Sequence, residues 1–213
     1  MKKRILLVVC SIMLGVALIG CGSQKEEEVS GNTIKPLPAT VDMNNLDNCT
    51  VAVSLEEGDA YVDDEGAMQM DVTVYAYEMF DMADMASLKE GDIIVIQGKE
   101  VKVTSLDRTE TRLSINGGIE ENGYEFGTDD STIWYESGFN DAKSYYELGK
   151  ATIRVSADMN FYDSSDLEKG EVTYYPGDFL TDNAGIVYHF VPDNTSIVIE
   201  DGKIIEMNRR YIP

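Results

Sequence analysis

The sequence predicts an all-β protein, a barrel or sandwich of short antiparallel strands carrying two short helices. Three observations predict it. From Cys49 onward apolar residues recur with a period of two, the spacing of a strand with one buried face. Tight two-residue turn signals, such as Asp201-Gly202, join neighbouring runs. Further turn residues at Asn116-Gly117-Gly118, Asn122-Gly123 and Pro176-Gly177 punctuate the chain at intervals suited to a barrel or sandwich.

The elements follow in order. Cys49, Val51, Val53 and Leu55 share a parity on the first strand, which turns the Cys49 thiol toward the core. In MQMDVTVYAY, Met68, Met70, Val72, Val74 and Ala76 form one face, with Gln69, Asp71, Thr73, Tyr75 and Tyr77 on the other. A first short helix runs from an Asp81 cap through Met82, Met85 and Leu88 to Gly91. DIIVIQGKEVKVT reads as a hairpin with Gly98-Lys99 as its turn, which sets Ile96 against Val101 and Ile94 against Val103. A second helix is expected from Asn140 through Tyr145 and Leu148 to Gly149, and SIVIE pairs with KIIEMN in a last hairpin. The phrases SLKEGD and DLEKGE share a pattern that suits any loop entering a strand, so they are not counted as a repeat.

The N-terminus has a different character. Lys2, Lys3 and Arg4 precede sixteen uncharged residues, Ile5 to Gly20, shorter than the run of about 20 that spans a bilayer. The run ends in Leu18-Ile19-Gly20-Cys21, which resembles the lipobox of bacterial lipoprotein precursors. The resemblance implies lipidation of the Cys21 thiol, cleavage after Gly20 and a mature chain held on the outer face of the cell membrane. Residues 1–20 are then a signal peptide, 21–48 a lipidated N-terminus with a flexible acidic tether, and 49–213 the extracytoplasmic domain, as one unit or two small β modules. The nineteen residues Gly22 to Thr40 would reach roughly 25 Å, which keeps a globule of radius of gyration near 15 Å close to the bilayer. SLKEGDIIVIQGKEVKVTSLDR and the stretch from VTYYPGDF to the C-terminus also resemble uncharacterised lipoproteins of Gram-positive anaerobes. That likeness implies location and compactness, with no activity attached.

Charge narrows the partners. The leader holds three of the 17 basic residues and none of the 39 acidic ones, leaving a mature chain of formal charge −25. Such a field repels phosphate backbones and anionic headgroups, so no nucleic-acid partner is expected. The expected partners are the membrane, through lipid on Cys21, and a glycan or envelope protein. With Cys10 in the leader and Cys21 lipidated, Cys49 is the one remaining thiol.

Catalytic constellations are sparse. Cys49 and His189 could in principle pair, but Cys49 faces the core, and His189 sits in a run apolar on both sides. Sortases are envelope β-barrels with a catalytic cysteine, yet theirs follows the histidine, the reverse of the order here. No GxSxG elbow and no HExxH motif occurs. Met79, Met82 and Met85 lie three apart, a spacing open to cuprous ion or to a buried helical stripe. The acidic segments 56–66 and 158–168 offer oxygens for calcium without the spacing of an EF-hand loop. Tyr75 and Tyr77, on the polar face of their strand, and Trp134 are the candidate ligand platform, since aromatic rings suit sugar faces or peptide side chains. The expectation is a binding or envelope-interaction module without cofactor or catalytic residue. The alternatives are a carboxylate-dependent envelope glycan hydrolase and a copper- or calcium-binding lipoprotein.

Overall fold

A computed structural model describes residues 31–128, 132–138, 142–181 and 184–212. The leader, Cys21 and the first part of the tether lie outside the described residues. Fifteen strands dominate the described residues, as the period of two requires. They are β1 (Thr33–Ile34), β2 (Cys49–Ser54), β3 (Ala60–Val62), β4 (Met68–Tyr77), β5 (Met79–Asp81), β6 (Ile93–Ile96), β7 (Lys99–Lys102) and β8 (Leu106–Arg108). They continue with β9 (Arg112–Ile115), β10 (Tyr124–Gly127), β11 (Ile133–Ser137), β12 (Tyr145–Ser164), β13 (Val172–Tyr174), β14 (Thr195–Glu200) and β15 (Lys203–Arg210). Among the described residues one α-helix, α1 (Met82–Ser87), follows β5, and two 3₁₀ turns occupy Ile119–Glu121 and Pro176–Leu180.

Five strands close a ring of hydrogen-bonded neighbours: β14, β2, β4, β12 and β15, with β15 returning to β14. The β12–β15 pair is parallel, and the other four are antiparallel. Closure depends on the 20-residue β12, whose first half lies along β4 while its second half lies along β15. Register breaks at Glu147/Gly149 and Val155/Asn160 bend it between its partners, as bulges do. The inward parity supplies one apolar core that includes Val51, Val53, Met70, Val72, Val74, Phe161, Ile197 and Met207. Phe179 from the second 3₁₀ turn and Phe190 pack on Phe161, at 5.4 and 5.6 Å between ring centroids.

All strands from β5 to β11, together with α1, are inserted between β4 and β12. They enclose a second core of Ile34, Phe80, Met85, Leu88, Ile94, Ile96, Val103, Leu113, Ile115, Phe126 and Trp134. Asp81 caps α1 by accepting from the backbone N–H of Ala83 and Asp84, as its sequence position predicts. The helix stops at Ser87, short of the expected Gly91, and Arg108 donates to the carbonyls of Met85, Ala86 and Leu88 at its end. Among the described residues no helix is long and apolar enough to cross a membrane.

Three expectations need correction. Residues 145–149, expected to end a helix, belong to β12. Each aromatic there has a partner on β4, and Gly149 marks a bulge instead of a helix stop. The β6–β7 turn is Gln97-Gly98, with both residues at positive φ, so Ile96 faces Lys99 and Ile94 faces Val101. The slip from the expected register is two residues, which leaves the same apolar face inward. The segment expected to be a flexible tether carries β1, paired in parallel with β6, and buries Ile34. Its anchor is the buried Asp92 carboxylate, which accepts from the backbone N–H of Asn32 at 2.9 Å and Lys89 at 3.0 Å.

Candidate binding cleft

Outward-facing residues on the ring form a continuous row through the register Tyr162–Asn208–Ser196–Ala52–Tyr75–Glu147. The middle of that row is small. Ala52, Ser196 and the neighbouring Thr50 leave a depression that larger flanking side chains deepen into a cleft of about 420 Å³.

One wall is aromatic. Tyr75 and Tyr77 are half-buried on β4, and Tyr75 shares a 3.1 Å hydrogen bond with the Ser54 hydroxyl. Tyr77 pairs in register with Tyr145 of β12, and their rings meet edge to face at 5.5 Å. The Lys143 ammonium stands 4.4 Å from the centroid of Tyr77 and 5.1 Å from that of Tyr135, a cation–π arrangement. Lys143 also donates to the Tyr77 hydroxyl at 3.3 Å. Burial pushes the Tyr145 phenol above its usual pKa, only partly offset by the Lys143 charge, so it remains a donor at neutral pH.

The opposite wall is polar and comes from residues 192–194 and the end of β15. The loop is shaped by Asn194, whose side chain accepts from the Val191 N–H at 3.1 Å and donates to the His189 carbonyl at 3.0 Å. Arg210 clips onto this loop: its Nε donates to the Asp193 carbonyl at 3.1 Å, and its backbone N–H to the Asn194 carbonyl at 2.9 Å. Burial raises the Asp193 carboxyl above the usual range, against the pull of Arg210.

Behind this wall Arg209 points inward and forms a buried ion pair with Asp163, its register partner on β12. Arg209 Nε donates to Asp163 Oδ1 at 2.9 Å, and a terminal guanidinium nitrogen donates to Oδ2. The other terminal nitrogen donates to the Val187 carbonyl, while the guanidinium lies 4.4 Å from the Phe190 ring centroid. Burial alone would raise the Asp163 carboxyl, yet hydrogen bonds from Arg209 and Ser165 and the Arg209 charge bring it below the usual range.

Of the residues singled out in the sequence, Tyr75 and Tyr77 stand together in the cleft. Trp134 lies in the second core at 5 % exposure, with no ring face open to a ligand. The three methionines do not share one exposed face: Met79 lines the cleft, Met82 packs at the edge of the second core, and Met85 is fully buried within it. His189 is exposed in an irregular connection, not in a covered strand. The Leu55–Phe190 bridge places it at one end of β2 and Cys49 at the other, roughly 20 Å apart along the strand. Cys49 is a half-buried free thiol, its pKa raised by burial and then by Asp47.

The acidic segments serve their own backbone. Asp63 accepts from the N–H of Glu65 and Ala67 and from Gln69, and Asp166 accepts from the N–H of Glu168 and Lys169. Among the described residues no group of three His, Cys, Asp or Glu is placed to hold a metal ion. Sequence reasoning missed Lys143, Asp193, Arg210 and the Asp163–Arg209 pair, and it placed Tyr145 on a helix instead of opposite Tyr77. The visible signal was the Arg209-Arg210 doublet, conspicuous in a chain with 17 basic against 39 acidic residues. The chain matches no protein-family model, no curated protein and no solved structure.

Proposed function

We propose that this chain is a lipid-anchored, extracytoplasmic binding protein of a bacterial envelope, and that its ligand sits in the cleft between Tyr75, Tyr77 and Arg210. The observation that carries the reading is the cleft itself. Two half-buried tyrosines flank a floor of small residues, an arrangement that offers ring faces without filling the space between them. The lipobox residues Leu18 to Cys21 supply the anchor.

The connectivity supports a binding role. The order β14-β2-β4-β12 is the fourth-first-second-third arrangement of a Greek key, and β15 completes the ring. We read the ring as a five-stranded Greek-key barrel, the architecture of the oligonucleotide- and oligosaccharide-binding folds. That is an analogy of fold, and the ligand is argued from the site. The net charge of −22 disfavours a nucleic acid, which leaves a glycan or an envelope peptide, and the tyrosine faces favour the glycan. Asp193 is the one carboxylate among the described lining residues, whereas glycoside hydrolysis uses two, so binding fits the cleft better than cleavage.

Two measurements test the reading. Intact mass of the membrane-extracted protein is expected to show loss of residues 1–20 and a diacylglyceryl adduct on Cys21. On a glycan array, wild-type protein is expected to bind and the Tyr75→Ala/Tyr77→Ala variant to lose that binding. Equal signal from the two proteins would remove the cleft as the ligand seat.

A further inference from the structure

The described residues lining the cleft reverse the charge balance of the chain. Lys143, Arg209 and Arg210 line it against Asp193 alone, in a protein with more than twice as many acids as bases. Arg209 is spent on Asp163 in the interior. Arg210 differs. It is exposed, its Nε is fixed on the Asp193 carbonyl, and its two terminal nitrogens form no ion pair among the described residues. A guanidinium anchored by Nε keeps an edge with two parallel N–H donors, which matches the two oxygens of a carboxylate. Across a floor of Thr50, Ala52 and Ser196 stand Tyr75 and Tyr77, with the Lys143 ammonium over the Tyr77 ring.

We infer that the cleft selects a carboxylate-bearing sugar, with the Arg210 fork receiving the carboxylate while the sugar ring lies against Tyr75 and Tyr77. The inference rests on the cleft being the ligand seat and adds the chemical class of the ligand. A phosphate chain fits less well. Its closely spaced charges would meet the negative field of the whole protein, whereas one carboxylate at Arg210 is within contact range, and the remaining surface is screened beyond about 8 Å at physiological salt.

The test is calorimetric titration of the mature lipidated protein in detergent with a disaccharide carrying a single glucuronate, with its methyl ester, and with a glycerol-phosphate oligomer. The acid form is expected to bind about 10- to 100-fold more tightly than the ester, the range of a charge-assisted hydrogen-bonded pair. Arg210→Gln is expected to bring the acid down to the ester's affinity without changing the ester, and Arg210→Lys to retain part of the difference. Tyr75→Ala is expected to weaken both forms. Unfolding midpoints within about 2 °C of wild type would show that Arg210, an exposed residue, acts through the ligand and not through the fold.

Equal affinity of wild type for acid and ester overturns the inference and leaves the cleft as a glycan seat. Preference for the phosphate oligomer, or an Arg210→Gln variant that keeps the acid preference, also overturns it. Binding of both sugar forms that survives Tyr75→Ala/Tyr77→Ala unchanged removes the cleft reading itself.

Discussion

Replacing Asp163 by Asn leaves Arg209 charged, buried and without its anion. The Arg209 side chain is 3 % exposed and that of Asp163 10 %, so water reaches neither end of the pair freely. Asn keeps one acceptor for the guanidinium but removes the negative charge, and breaking such a buried pair costs about 3–5 kcal/mol. At 2–4 °C per kcal/mol for a chain of this size, the unfolding midpoint should fall by roughly 6–20 °C. Replacing both partners, Asp163→Leu with Arg209→Met, should recover most of that loss, because the desolvation cost leaves with the charges. The pH dependence has a definite sign. The folded carboxyl titrates below its unfolded value near 3.9, so its contribution is complete above that pH and disappears as pH falls through the lower folded value. The gap between wild type and Asp163→Asn should therefore close in acid. Urea and thermal unfolding at pH 7 and pH 3 measure it. A variant within about 0.5 kcal/mol of wild type at pH 7 would refute the reasoning, since that is the behaviour of an ordinary surface site.

Other outcomes follow from the same kind of argument. Glu136 is buried at 7 % exposure, and burial raises its carboxyl, with the Gln97 hydrogen bond opposing and the Glu78 charge assisting. Its ionised form destabilises the fold as pH rises through the raised folded value, so Glu136→Gln should stabilise the protein by on the order of 1 kcal/mol at pH 7 and by nothing below pH about 4. Asn116 accepts from the Thr104 N–H at 2.8 Å and hydroxyl at 2.9 Å, donates to the Lys102 carbonyl at 3.0 Å, and holds φ at +55°. Asn116→Ala should cost about 2 kcal/mol in urea unfolding, where Asn116→Asp, which keeps the acceptor and tolerates the left-handed backbone, should cost less.

Local signals in the sequence were legible where one face of a strand is buried. The alternation in MQMDVTVYAY gives β4 its inward Met70, Val72 and Val74, and the same alternation turns Tyr75 and Tyr77 outward toward the cleft. Asp201-Gly202 takes positive φ at both positions and joins β14 to β15, and Asp81 caps α1, because each is decided by residues within a few positions. What escaped is non-local. The run YYELGK has the composition of a short helix, and only pairing with β4 makes it a strand. Ile34 is the apolar residue of a polar segment, and its burial needs the edge of β6, about 60 positions away. Asp163 and Arg209 are 46 residues apart, and nothing local marks them as partners until a parallel register sets them side by side. Half of the cleft was therefore visible as outward tyrosines, and the other half arises only when the loop at 192–194 and the end of β15 fold against them.

The central claim is that a ligand occupies the depression over Ala52. Ala52→Trp places an indole in the middle of the cleft from an outward-facing, half-exposed position, so it fills the space without entering the core. Binding of this variant to whichever array glycan the wild-type protein retains is the direct measurement. Complete loss of binding with an unchanged unfolding midpoint is the predicted result, and undiminished binding would contradict the account.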